Sequence, residues 1–146
     1  MATGSIRRAV VTELTSRFAA ALTGYQVLAD FPGEAHLKSK ALWCGDIEGQ
    51  FDYPLASAPR NYRDDTFDMT WWLHLAGLGA DIEVTHTTIT TVVAAIDGVI
   101  ADAPNLSNLD GLIEVSLGTV KHGVTRTPEG PVGGAEIHIV AHSRLH

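Results

Sequence analysis

The sequence predicts an α+β domain in which two helices pack on a small mixed, mostly antiparallel sheet, with a long arm or irregular hairpin between strands. Two segments repeat apolar residues at helical spacing, and several others alternate apolar and polar residues as strands do. The predicted order is α-β-β-arm-β-α-β-β. With 146 residues, 45% of them hydrophobic and 18% charged, the chain can bury one substantial core, and residues 1–146 are assigned to a single domain.

The first predicted element is an amphipathic helix over residues 5–23. Ser5 is a suitable N-cap residue, and Gly24 is a suitable residue to end the helix. Every fourth residue in this segment is apolar, which gives a single stripe for the core, formed by Ile6, Val10, Leu14, Phe18 and Leu22.

Two short strands, 25–31 and 37–44, are predicted next, followed by a long arm over 45–65. The arm contains two glycines, two prolines and an excess of carboxylates, which favours a loop or an irregular hairpin. Loops of this length in a compact domain are uncommon and are usually functional or misassigned elements.

The clearest predicted strand covers 66–75, where apolar and polar residues alternate. Trp71 and Trp72 are adjacent and must therefore point to opposite faces, Trp71 toward the core and Trp72 toward the polar side. A tryptophan on a polar face indicates either a contact with a partner or cover by a loop of the same chain.

The second predicted helix covers 83–102 and ends before Pro104. Strands are then predicted at 112–122 and 135–143, joined by a turn-rich connection over 125–134. The outer side of the helix is rich in Thr and Ala and has no Lys, Arg or Glu between Thr85 and Ala101. Such a side is either a contact surface, in which Thr87 and Thr91 take part, or a weakly polar surface that faces solvent.

Charge and cysteine content limit the possible functions. The net charge of −7 argues against a protein that binds nucleic acid or anionic lipid tightly, because an acidic surface repels phosphate. The single cysteine, Cys44, excludes an internal disulfide framework and a cysteine-rich zinc site. We recognise neither a signal peptide nor an apolar run of about 18 residues, and so expect a chain made in the cytoplasm that spans no membrane.

Seven histidines raise the question of a metal site, but their spacing does not favour one. His138 and His142 share a strand face yet lie about 13 Å apart at about 3.3 Å per residue, while His74 could face His138 if their strands pair. Cys44 is expected to be a packed residue rather than a thiolate nucleophile. No nucleophile elbow or phosphate-binding loop is present either. We therefore predict no catalytic, cofactor-binding or metal-binding residues, and no cofactor.

Contacts with other subunits are predicted instead from exposed aromatic and small residues. The arm is too apolar for a purely solvated loop and carries basic groups beside carboxylates, a mixture suited to the rim of an interface. The candidate interface residues are Phe51, Tyr53, Arg60, Tyr62, Arg63, Trp72, Thr87 and Thr91.

The layout resembles the tail terminator (tail completion) family of long-tailed, non-contractile bacteriophages over nearly the whole chain. The features that carry the resemblance are the N-terminal helix and six further segments: Trp43-Cys44-Gly45-Asp46-Ile47-Glu48-Gly49, the arm with Arg60, Tyr62, Arg63 and Asp64-Asp65, the strand 66–75, the helix 83–102 with residues 101–106 at its end, and the strands 112–120 and 135–145. The run Phe67-Asp68-Met69-Thr70-Trp71-Trp72 departs from the family's usual Val and acidic residues.

The resemblance implies a non-enzymatic virion protein of the tail or neck, assembled in the host cytoplasm. Members form a ring, typically of six copies, that caps the tail tube, ends its polymerisation and joins head-completion or connector proteins. DNA passes through the ring without specific binding. Two alternatives remain open: a head–tail adaptor or stopper, and, in a different class, a small ligand-binding domain or enzyme with a deep pocket.

Overall fold

A computed structural model describes residues 6–52 and 63–145. The elements, in chain order, are α1 (Arg7–Ala21), β1 (Gln26–Leu28), a 3₁₀ turn (Glu34–His36), β2 (Lys40–Asp52), β3 (Arg63–Leu75), α2 (Ile82–Asp102), β4 (Leu112–Thr127) and β5 (Gly130–Leu145). Two helices and five strands confirm the predicted α+β class.

The strands form one sheet in the order β1-β2-β3-β5-β4. β1 runs parallel to β2, and the other three pairs are antiparallel. The mixed, mostly antiparallel sheet predicted from the sequence is therefore confirmed. Alternation along β3 and β5 gives the sheet one apolar face, which packs under the helices, and one polar face.

The apolar stripe predicted for α1 lies in the core. All five of its members are buried: Ile6, Val10, Leu14, Phe18 and Leu22. The Phe18 ring meets the Trp71 ring edge-on at 5.1 Å between centroids, so this stripe packs directly on β3. The helix begins at Arg7 with Ile6 in the N-cap position, and the suggested cap, Ser5, lies outside the described residues. Gly24 follows the helix with a φ of 86°.

α2 begins where the Asp81 side chain accepts a hydrogen bond from the Glu83 N–H at 3.0 Å. Its inner side packs on the sheet beside Gly133, where a Cβ atom would come within 2.6 Å of Thr85 Cγ2. By length and composition alone this helix could cross a membrane, although 28% of its most apolar window is buried. Ile89 and Ile96 are among its buried residues, as expected of a helix that contributes to a core.

Of the two alternatives predicted for residues 45–65, the irregular hairpin is confirmed, whereas a long loop with these bounds is wrong, because residues 45–52 and 63–65 belong to the sheet. β2 continues to Asp52 and β3 starts at Arg63, and the two strands pair with one irregularity between Cys44 and Ile47 and with Gly49 opposite Phe67. What remains is a hairpin whose connection, residues 53–62, lies outside the described residues. The glycines mark close approach rather than a loop: a Cβ at Gly49 would lie 2.6 Å from Phe67 Cβ and from Arg7 Nη2.

The turn-rich connection predicted over 125–134 is also wrong. β4 extends to Thr127 and β5 starts at Gly130, so Pro128 and Glu129 alone form the turn. Gly130, with a φ of 119°, supplies the left-handed backbone conformation that the turn needs. The predicted strand 25–31 shrinks to the three residues of β1.

Candidate assembly surfaces

The polar side of the sheet, termed here the open face, is the first candidate surface. It is defined by the residues that alternate with the buried ones along β2, β3, β5 and β4, and none of the described helices packs on it. The open face carries more carboxylates than fixed cations. Its described acidic side chains are Asp46, Glu48, Asp64, Asp68, Glu114 and Glu136, and its Lys and Arg residues are Lys121 and Arg144.

His138 lies at the centre of the open face between two carboxylates. Its Nδ1 is 3.0 Å from Asp68 Oδ1, and its Nε2 is 3.3 Å from Glu136 Oε1. Within residues 6–52 and 63–145, no three His, Cys, Asp or Glu side chains are arranged to hold a metal ion. The two carboxylates make this part of the open face acidic.

His74 and His138 do not face each other, although their strands pair. The register places Thr70 opposite His138 and Gly134 opposite His74. Partial burial lowers the pKa of His74 because desolvation disfavours its charged form.

A second charged group lies near the start of β3. Asp64 accepts hydrogen bonds from Arg144 Nε at 2.8 Å and Nη2 at 3.2 Å, and His142 Nε2 lies 3.3 Å from the same carboxylate. The hydrogen bond from Arg144 is the main reason that the pKa of Asp64 is lowered. The pair ties β3 to β5 across the open face.

The two tryptophans divide between the faces as predicted. Trp71 is fully buried, whereas Trp72 is 40% exposed on the open face, opposite Trp43 in the register. The Trp72 indole lies over Gly45, where a Cβ atom would come within 2.6 Å of Nε1. Phe31, itself exposed, lies 5.1 Å from Trp43 between ring centroids. These aromatic side chains give one end of the open face an apolar strip, and the contact role of Trp72 remains a prediction.

The outer side of α2 is exposed at Thr87 and Thr91. The Thr91 hydroxyl donates to the Thr87 carbonyl oxygen at 3.0 Å, and the Thr88 hydroxyl donates to the Val84 carbonyl oxygen at 2.7 Å. These hydroxyl groups donate their hydrogen bonds within the helix, and the residues themselves carry no charge. A role in contacts remains a prediction for both residues.

The other predicted contact residues belong to the β2–β3 hairpin. Phe51 lies in β2 and Arg63 in β3, so both are sheet residues rather than arm residues. Tyr53, Arg60 and Tyr62 lie outside the described residues. A contact role for these five residues remains a prediction.

Cys44 is a packed residue, as predicted. It is buried on the apolar side of β2, and burial raises the pKa of its thiol to about 11. A thiol with this pKa is protonated at neutral pH and is a poor nucleophile.

The ion pair between Arg7 and Asp65 was not predicted from the sequence. Arg7 Nη2 lies 2.7 Å from Asp65 Oδ1, and the carboxylate is buried. A possible signal was the position of Asp65, which falls on the apolar side once the alternation of 66–75 is extended backward by one residue.

Comparison with known proteins gives a likeness in structure only. Neither a protein-family model nor a curated protein matches the chain. Among solved structures, it is similar to a chain of the "Virion of native gene transfer agent (GTA) particle", with a TM-score of 0.63 and 13% sequence identity. The match covers 97% of this chain and 99% of the other, so the two chains share one fold over their whole lengths.

Proposed function

We propose that this chain is a structural protein of a phage-like virion, and specifically a tail terminator. Six copies form a ring that caps the tail tube, ends its polymerisation and presents a surface to the head-completion or connector proteins. The observation that carries the proposal is the full-length likeness in fold to a chain of a gene transfer agent virion. This likeness agrees with the tail terminator layout recognised in the sequence.

The charge of the open face supports a ring through which DNA passes. Among the side chains that the structure describes, the open face carries six carboxylates and two fixed cations, a balance that repels phosphate and disfavours DNA binding. A passage for DNA requires such a surface, because each phosphate contact would slow the moving duplex. A non-enzymatic role also agrees with Cys44, whose thiol is buried.

Assembly requires contact surfaces, and the exposed Trp72 and the uncharged outer side of α2 are suited to them. A partly exposed tryptophan offers a large apolar area at a contact. Small residues such as Thr87 and Thr91 let another element approach closely. The connection 53–62, with Phe51 and Arg63 at its base, is proposed as a contact with a neighbouring copy or with the tube.

The test is a tube-polymerisation assay with purified tube protein from the same particle. Tubes grown with this chain present are expected to be capped and short, and tubes grown without it long and uncapped, as measured by electron microscopy. The matched control is Glu34→Lys, a charge change on the exposed 3₁₀ turn, which should cap as well as wild type. Unchanged tube lengths, with no ring at either end, would contradict the proposal.

A position above the terminator, as a head–tail adaptor or stopper, is the second candidate. The likeness in fold to a chain of a gene transfer agent virion supports this candidate equally, because it concerns a virion and no particular position within it. Rings that bind the connector and leave tube length unchanged would select this candidate.

A further inference from the structure

The sheet has two outer edges that are free along most of their length in the described chain. β1 covers β2 only opposite residues 41–43, which leaves residues 44–52 of β2 without a strand on that side. At the other end of the sheet, β4 pairs with β5 alone. On its outer side the Val115 N–H donates to the Pro104 carbonyl oxygen at 2.7 Å, and from residue 116 to Thr127 this side has no strand partner among the described residues. Long unpaired edges are templates for pairing with another chain.

The two edges carry opposite charges. Residues 44–52 of β2 include Asp46 and Glu48, both exposed, and no basic residue. The second half of β4, residues 119–127, includes Lys121 and Arg126, both exposed, and no acidic residue. We call these segments the acidic edge and the basic edge.

The charges at these edges also lack partners within the described chain. Among the arginines whose side chains are described, Arg7, Arg8, Arg17 and Arg144 each hold a carboxylate. Arg126 and Lys121 form no ion pair with any described residue, and neither do Asp46 and Glu48. The charges left over within one copy therefore match those of the opposite edge of another copy.

From these observations we propose that copies of this chain join head to tail, the acidic edge of one copy pairing with the basic edge of the next to continue the sheet. This inference deepens the proposed ring and rests on it. The strand directions suit the contact: β2, β3, β5 and β4 alternate in direction, so β4 meets the next copy's β2 antiparallel. Head-to-tail contacts of this kind close into rings when the rotation allows.

The charges come together only if neighbouring copies are staggered. Through the ladder, Glu48 lies level with Asp68, Val140 and then Ser116 of its own copy. Lys121 lies opposite Glu136, four residues along β5 from Val140, because β4 carries an extra residue between Leu117 and Val120. The offset is therefore about 13 Å at about 3.3 Å per residue. Closing a sheet into a ring imposes a stagger of this order, because four strands about 4.8 Å apart and tilted by about 40° are offset by about 16 Å.

Two complementary variants test the contact. The double substitution Lys121→Glu with Arg126→Glu gives a copy with two acidic edges, and the double substitution Asp46→Lys with Glu48→Lys gives a copy with two basic edges. Each variant alone is expected to assemble at least about tenfold more weakly than wild type, because like charges then meet at every junction. Circular dichroism confirms that each variant is folded, and mass photometry measures its assembly.

An equal mixture of the two variants is expected to restore rings. Every junction in a ring of alternating copies pairs an acidic edge with a basic one, and a ring of six accommodates the alternation. The matched controls are Glu34→Lys and Lys38→Glu, which change the same charges on exposed residues away from both free edges and should assemble as wild type does.

The outcomes separate this inference from the proposed function. If each variant alone forms rings as readily as wild type does, the edge contact is overturned and the proposed ring is not. The same conclusion follows if wild type forms rings but the mixture of the two variants stays monomeric. Wild-type protein that stays monomeric at every concentration would overturn both. Rings in the mixture and in wild type, with monomers in each variant alone, are the expected result.

Discussion

Arg7 at the start of α1 holds Asp65 of β3 through a two-point ion pair, with Nη2 2.7 Å from Oδ1 and Nε 3.0 Å from Oδ2. The carboxylate is fully buried, while the Arg7 side chain is 25% exposed. The guanidinium also covers Gly49 of β2, where a Cβ atom would clash with Arg7 Nη2 and with Phe67 Cβ. One side chain thus fixes the helix to both strands of the β2–β3 hairpin.

Arg7→Ala is expected to lower the free energy of unfolding by about 3 kcal/mol, because it leaves a buried carboxylate without its cation. The matched control is Arg8→Ala. Arg8 pairs with Asp30 in the open, where the side chains are 65% and 74% exposed. That change should leave the free energy of unfolding almost unchanged, because solvent and salt screen an exposed ion pair. Urea unfolding measures both variants, and equal losses would show that the buried pair has no special role.

Trp71→Ala and Trp72→Ala should have separate effects. Trp71 is buried against Phe18, so its removal is expected to cost about 3–5 kcal/mol in the free energy of unfolding. Trp72 is partly exposed, and its removal should leave a folded subunit that assembles poorly. Thermal unfolding and sedimentation distinguish the two effects. A Trp72→Ala protein that forms rings as wild type does would remove Trp72 from the contact surface.

The lowered pKa of His74 gives stability a pH dependence of known sign. Below its ordinary value of 6.5, the unfolded chain binds a proton that the folded chain resists, so the free energy of unfolding falls as pH decreases from about 6.5. His74→Gln should remove this part of the decrease. Urea midpoints at pH 7.5 and 5.5 measure it, with His36→Gln on the exposed 3₁₀ turn as the control. The same slope in wild type and His74→Gln would contradict this prediction.

Cys44 should be unreactive in the native protein. Its buried thiol, with a pKa of about 11, gives almost no accessible thiolate at pH 8. A chromogenic disulfide reagent should therefore titrate Cys44 only after urea unfolding. Rapid labelling of the native protein would show that this part of β2 opens readily.

The elements that could be predicted from the sequence are those with a strong period. Phe18 in the α1 stripe and the alternation around Trp71 identified buried residues correctly because spacing alone decides which side faces the core. The errors concern glycine. A glycine such as Gly49 favours a loop in the sequence pattern, but Gly49 lies in β2, where the side chains of Arg7 and Phe67 approach its backbone closely. Such an approach depends on tertiary packing, which local patterns do not contain.

The candidate surfaces were only partly predictable for a similar reason. The exposure of Trp72 follows from alternation, and the structure confirms it. The free edges of β2 and β4 depend on strand order, which the sequence does not reveal. The observed order β1-β2-β3-β5-β4 places Glu48 and Lys121 near opposite edges of one sheet.

The proposed ring is tested most directly by native mass spectrometry of the purified wild-type chain, combined with electron microscopy of the same sample. A tail terminator of this kind should give one closed assembly of six copies, seen as rings with an open centre. A protein that remains monomeric over the whole concentration range, or one that forms only open-ended filaments, would contradict the proposed function.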